Sequence, residues 1–170
     1  MDNEETKEKI IKELERIEED ALCFSKSHFI AAQAWANWHL WLGIPATVLS
    51  VIAGVSALSQ FDYHDIVSGV LAILVAGIAG LITFLNPNER AETHITAGNT
   101  YNQLRNNARI VYEIDIEGGV IITLTEKLKQ LSNKRSELNS QFPRPPIRAF
   151  EKSRKEIEKG EATYMIDKNE

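Results

Sequence analysis

Basic residues are missing from a long central part of the sequence. No lysine or arginine occurs between Lys26 and Arg90, and the only acidic residues in that interval are Asp62, Asp65 and Glu89. The rest of the chain is densely charged, so the mean hydropathy of −0.22 averages over two regions of opposite character. Such segregation is typical of a chain whose parts meet two different solvents.

Cysteine is nearly absent, and so are the motifs of common catalytic sites. One cysteine, Cys23, excludes an intrachain disulfide and a cysteine-rich metal site. There is no glycine-rich phosphate loop and no nucleophile motif, and the four histidines, His28, His39, His64 and His94, are far apart in the sequence. We therefore predict no catalytic residue, no metal and no cofactor, and expect that the protein is not an enzyme.

Two apolar runs fill the interval without basic residues. Trp38–Leu58 and Ile66–Leu85 contain no Asp, Glu, Lys or Arg. Each has about 20 residues, enough for a helix to cross roughly 30 Å of hydrocarbon. The remaining chain has too little apolar surface to cover two such helices, which disfavours a pair of core helices in a soluble protein. We predict an all-α membrane protein with transmembrane helices at 38–58 and 66–85.

The segment between the two runs determines the predicted topology. Residues 59–65, SQFDYHD, are too few for anything but a tight antiparallel hairpin. This loop has no lysine or arginine, whereas Lys26, Arg90, Arg105 and Arg109 lie near the outer ends of the hairpin. The positive-inside rule then places both termini in the cytoplasm and the loop outside. The expected location is a cell membrane, which the chain crosses as a multi-pass protein.

Small residues recur along both predicted spans, where helices in lipid pack closely. They are Ser50 and Gly54 in the first span and Ser68, Ala72, Ala76, Gly77 and Gly80 in the second. Such a face either lines a pore in an oligomer or packs the hairpin against itself, and the residues alone leave both alternatives open.

The polar parts of the chain carry amphipathic helical patterns. The N-terminal segment 1–37 has a heptad-like stripe of Ile10, Leu14, Ile17, Ala21 and Phe24. A second stripe consists of Ile121, Leu124, Leu128, Leu131 and Leu138. Each stripe needs a partner, in the same chain or in another one. We predict cytoplasmic helices over 86–160, broken near Gly119 and at Pro143–Pro146, and a flexible tail at 161–170.

Arginine and aromatic residues accumulate after the second span. His94, Tyr101 and Arg105 lie close to one face of a predicted helix that Asn86-Pro87 precedes. Together these groups suit a phosphate and a stacked base, although a solvated flank beside lipid headgroups is an alternative. The candidate residues for a nucleotide or oligonucleotide are Arg90, His94, Tyr101, Arg105, Arg109 and Arg148.

The order of these features resembles a known family. The run Phe84-Leu85-Asn86-Pro87, followed by Glu89, His94, Tyr101, Leu104 and Arg105, is similar to the SLATT domain, as are the amphipathic first helix, the short-looped hairpin and the proline-rich corner Pro143–Ile147. The SLATT domain is a two-span membrane module of bacterial nucleotide-signalling defence systems. The resemblance covers nearly the whole chain, as a single domain of residues 1–170.

The resemblance implies a pore-forming effector of antiphage defence in the bacterial inner (cell) membrane. A nucleotide or nucleic-acid oligomer from a partner nucleotidyltransferase would control it, and opening would depolarise the membrane and arrest growth; double-stranded DNA is not an expected partner. Two helices per chain cannot enclose water, so a homo-oligomer of at least four chains is expected. The alternative is a non-conducting, membrane-anchored scaffold that recruits a partner through its cytoplasmic helices. Whether the ligand opens or closes the pore is not encoded in these residues.

Overall fold

The chain is described by a computed structural model over residues 3–162, and this part is all-helical, without a strand. The prediction of an all-α fold is confirmed. The predicted flexible tail, 161–170, lies almost entirely outside the described residues. The elements are α1 (Asn3–Leu58), α2 (His64–Leu85), α3 (Pro87–Ile110), a π-helical turn (Val111–Asp115), α4 (Ile116–Gly118), α5 (Ile121–Gln141) and α6 (Ile147–Glu158).

The first helix joins two predicted segments. α1 continues for 56 residues, through the boundary between segments 1–37 and 38–58 and past Pro45. No glycine or proline stands at that boundary to interrupt the helix. A change from polar to apolar side chains does not by itself end a helix. Pro45 removes one backbone donor, and the helix accommodates this loss.

The break between α2 and α3 follows local chemistry. Asn86 adopts a left-handed conformation with φ 43°, and its N–H donates to the carbonyl of Ile82 at 2.9 Å. Asparagine tolerates this conformation better than most residues. Pro87 then occupies the first position of α3, where its fixed φ suits a helix and its missing N–H costs nothing.

The chain forms two compact units. One, the polar unit, contains residues 1–31 and 93–170; the other, the apolar unit, contains residues 32–92. α1 and α3 each contribute to both units, because the boundaries at residues 31 and 93 fall inside these helices.

The predicted stripes pack on each other within the polar unit of one chain. Ile10 and Leu14 of α1 pack with Val111 and Leu124. Further along α1, a second cluster contains Ile17, Ala21, Tyr101, Leu104, Ala108 and Leu138. α3 thus supplies a third stripe, which we did not predict as core. The sequence left open whether the stripes pair within one chain or between chains. In the structure they pair within one chain.

The last helix is held against α1 by polar contacts. Ser153 of α6 donates from Oγ to the carbonyl of Cys23 at 2.9 Å, and both residues are buried. Lys26 forms an ion pair with Glu156 at 3.2 Å. The proline-rich corner therefore turns the chain so that α6 covers this part of α1.

The apolar unit contains helices long and apolar enough to cross a membrane, judged by length and composition. α2 has no buried residue. Its half-buried positions recur every three or four residues, at Leu71, Val75, Ile78 and Ile82, whereas Ile73 is 74% exposed. In the isolated chain many large apolar side chains of this unit are exposed.

Candidate functional site

Tyr101 occupies the centre of an aromatic cluster in the polar unit. Its ring stacks on Phe24, with 5.3 Å between centroids, and on His28 at 5.5 Å. The hydroxyl donates to Oδ1 of Asn139 at 2.8 Å. Burial raises the pKa of Tyr101, so the phenol stays protonated and remains a donor. α1, α3 and α5 are thereby connected through one side chain.

A cavity of about 410 Å³ opens beside this cluster. This volume lies in the range of small-molecule pockets, about 300–1,000 Å³. Its lining consists of Phe24, His28, Tyr101, Asn139, Phe142, Pro143, Arg144, Pro145, Ile147 and Phe150. Tyr101 and His28 are buried, whereas Asn139 and Arg144 are exposed, so the polar groups stand on the solvent side. The cavity combines aromatic rings with one cation and one amide.

Two histidines meet next to the cavity. Nδ1 of His28 lies 2.9 Å from Nδ1 of His94, and both residues are buried. One ring must donate a proton and the other must accept it, which requires at least one neutral imidazole. Burial, and secondarily the charge of His94, lowers the pKa of His28 to about 4. The contact therefore joins α1 to α3 with His28 uncharged at neutral pH.

Arg105, predicted as a ligand residue, lies in an ion pair. Its Nε donates to Oε1 of Glu18 at 3.0 Å, and the Tyr112 hydroxyl donates to Oε2 of the same carboxylate at 3.0 Å. The side chains of Arg105 and Glu18 are only 12% and 19% exposed. Burial raises the pKa of Tyr112, and the negative charge of Glu18 is the second largest cause of this increase. This group links α1 to α3 and the π-helical turn.

The other predicted ligand residues are distributed over several places. Arg90 belongs to the apolar unit, where its guanidinium lies 4.9 Å from the ring centroid of Trp35 and Nε donates to the carbonyl of Leu85. Arg109 is half-buried near the end of α3, and Arg148 is exposed on α6 outside the cavity lining. Of the six candidates only Tyr101 lines the cavity, and His94 adjoins it through His28. Their role in ligand binding stays a prediction.

The sequence also missed residues that the structure brings together. Arg144, Phe142 and Asn139 line the cavity with Tyr101, but none was selected as a ligand residue. Arg144 was noticeable only as a cation within the proline-rich corner. Its position opposite the aromatic cluster depends on the turn between α5 and α6, which no local pattern specifies.

The predicted small-residue positions are mostly on the surface of the apolar unit. Ser50, Gly54, Ala72, Ala76, Gly77 and Gly80 are exposed, and Ser68 is half-buried. A Cβ atom added at Gly54, Gly77 or Gly80 would meet nothing within 4 Å. Ser50 and Ser68 donate to carbonyls of their own helices, at 2.8 and 3.0 Å. These glycines therefore make no close intrachain contact.

Comparison with known proteins gives no match, whether to family models, to curated proteins or to solved structures. Within residues 3–162 no group of three or more histidine, cysteine or acidic side chains is arranged to hold a metal ion. The groups that line the cavity could bind a ligand through their aromatic rings, a guanidinium and an amide.

Proposed function

We propose that the chain is a membrane-inserted, homo-oligomeric effector of bacterial antiphage defence whose apolar helices form an ion-permeable pore. A nucleotide or oligonucleotide from a partner nucleotidyltransferase would control the pore through the polar unit. Opening would depolarise the cell membrane and arrest growth. The membrane part of this proposal rests on the structure, and the signalling part rests on the resemblance to the SLATT domain.

The observation that carries the proposal is the exposure of large apolar side chains on the helices of the apolar unit. α2 buries no residue in the chain, and Val55, Ile73 and Phe84 are 62%, 74% and 84% exposed. Exposing apolar surface to water costs a free energy of roughly 25 cal/mol per Å². Apolar helices of this length are therefore stable only where other apolar groups surround them. A lipid bilayer covers them completely, and the polar unit, with its ion pairs, would stay in the cytoplasm with both termini.

The small-residue face supports contacts between chains. Half-buried Leu71, Val75 and Ile78 mark the side of α2 that is shielded within the apolar unit, while Ala76 and Gly80 are exposed on another side. Space around the glycines would let a helix of a second chain approach closely. In a ring of at least four chains this weakly polar face would border the pore.

The scaffold alternative loses part of its basis. It requires the heptad-like stripes to be available for a partner, but Leu14, Ile17, Leu124 and Leu138 are buried inside the polar unit of the same chain. Recruiting another helix through these stripes would require the unit to open.

The experiment is expression in bacteria loaded with a potential-sensitive dye. We expect depolarisation with the wild-type chain and its loss in Gly80→Leu, which fills the small face. Because nothing lies within 4 Å of a Cβ at Gly80, this variant should keep the fold of the single chain. The matched control is Leu74→Phe, which adds bulk at an exposed position already occupied by a large side chain and should still depolarise.

Membrane-localised protein that leaves the potential unchanged, with or without its nucleotidyltransferase, would favour the non-conducting scaffold. Protein that stays in the soluble fraction without detergent would overturn membrane insertion itself.

A further inference from the structure

We propose that the aromatic cavity of the polar unit is a binding site for a planar aromatic ring that carries one anionic group. The ring would enter the cavity beside Tyr101, and the anion would pair with Arg144. The physiological role of such a ligand rests on the proposed function, whereas the binding itself does not require a pore.

The lining favours a flat ring over an aliphatic chain. Phe24, Phe142 and Phe150 are half-buried, so each ring is partly covered by protein and partly open towards the cavity. Tyr101 and His28 are buried and stack on each other at 5.5 Å, so the open ring surface belongs to the phenylalanines. Aromatic side chains with an accessible face bind flat rings by stacking, at about 1–3 kcal/mol for a nucleobase.

Asn139 adds a directional polar group to the lining. The Tyr101 hydroxyl donates to its Oδ1, which fixes the orientation of the amide and leaves the NH₂ group as a donor. A ring nitrogen or carbonyl at the edge of a heteroaromatic ligand would accept from this group. A purely hydrocarbon ring would leave it without such a bond.

Arg144 supplies the charge for the anionic group. Within the described part of the chain it forms no ion pair, in contrast to Arg105, whose charge is balanced by Glu18. Pro143 and Pro145 flank it, and proline restricts the backbone on both sides. Its guanidinium presents paired N–H donors that match a phosphate or a carboxylate.

Either a phosphate or a carboxylate can accept from the Arg144 guanidinium, so the test separates the two. Binding to the detergent-solubilised full chain is measured by titration calorimetry with adenosine monophosphate and with indole-3-acetate, which carry the two anions on a flat ring. Ribose 5-phosphate has the phosphate without the ring. We expect saturable binding of at least one ring-bearing probe and none of ribose 5-phosphate.

The variant pair is Arg144→Gln and Arg154→Gln. Both residues are exposed arginines of the polar unit, but only Arg144 lines the cavity. Loss of a charge-assisted hydrogen bond should weaken binding about tenfold or more in Arg144→Gln, while Arg154→Gln should stay within about twofold of wild type.

Binding of adenosine monophosphate that depends on Arg144 identifies a nucleotide-like ligand, and binding of indole-3-acetate alone with the same dependence identifies an aromatic carboxylate; both support the site. The proposal is overturned if neither probe binds, if ribose 5-phosphate binds as tightly as the ring-bearing probes, or if the two variants weaken binding equally. None of these outcomes bears on conductance, which the dye experiment measures separately.

Discussion

At the scale of single residues, the buried His28–His94 contact makes the polar unit sensitive to acid. The pKa of His28 falls from 6.5 to about 4 on folding, so its contribution to stability is complete above about pH 6.5 and is lost as the pH falls towards 4. We expect the free energy of unfolding to drop by up to about 2 kcal/mol between pH 7 and pH 5.

Unfolding curves of the chain in detergent, followed by circular dichroism at the two pH values, measure this drop in the free energy of unfolding. The double variant His28→Gln/His94→Gln serves as the control, because it lacks His28 and its hydrogen-bond partner and should show a smaller pH dependence. An unchanged dependence in the double variant would assign the acid sensitivity to other groups.

A second residue-scale prediction concerns Glu18, which accepts from both Arg105 and Tyr112. Glu18→Gln removes the charge at a site where both partners are mostly buried, and we expect the free energy of unfolding to fall by about 1.5–3 kcal/mol. Glu13 pairs with Arg16 on the exposed side of the same helix. Glu13→Gln should change stability by less than about 0.5 kcal/mol, and equal effects in denaturant titrations would contradict this explanation.

At the scale of elements, the end of α4 depends on a close approach at Gly119. A Cβ atom there would lie 2.6 Å from the carbonyl oxygen of Asp115 and 2.8 Å from Cδ2 of Leu124. Because one of these neighbours is backbone, Gly119→Ala should shift the turn between α4 and α5 and cost about 1–3 kcal/mol.

The neighbouring glycine provides the matched control. Gly118 is helical and a Cβ there would meet nothing within 4 Å, so Gly118→Ala should be neutral or stabilise by about 0.5–1 kcal/mol. Thermal unfolding of the two variants distinguishes a steric requirement at residue 119 from a general preference for flexible residues. Similar losses in both would indicate the latter.

At the scale of the whole molecule, the proposed topology places the connection between α1 and α2 outside the cell and residue 161 inside. In a Cys23→Ala background, Gln60→Cys should react with a membrane-impermeant maleimide on intact spheroplasts. Glu161→Cys should react only after the membrane is permeabilised. Labelling of both sites, or of neither, before permeabilisation would contradict a two-span hairpin with cytoplasmic termini.

The sequence by itself determined the helical class, the two apolar segments and most helix ends. These follow from properties carried by consecutive residues: the absence of charge over about 20 positions, Asn86-Pro87 at the start of α3, and the prolines between α5 and α6. The core stripes were also readable, because the spacing of apolar side chains shows which side of a helix is buried.

Only the tertiary structure decided which partner each face meets. Arg105 and Glu18 are 87 positions apart, and helical periodicity cannot indicate that their charges pair. His28 meets His94 across 66 positions, and Arg144 reaches the aromatic cavity only because the chain turns before α6. Periodicity fixes the direction of a side chain from its own helix axis, whereas its partner depends on how separate helices pack.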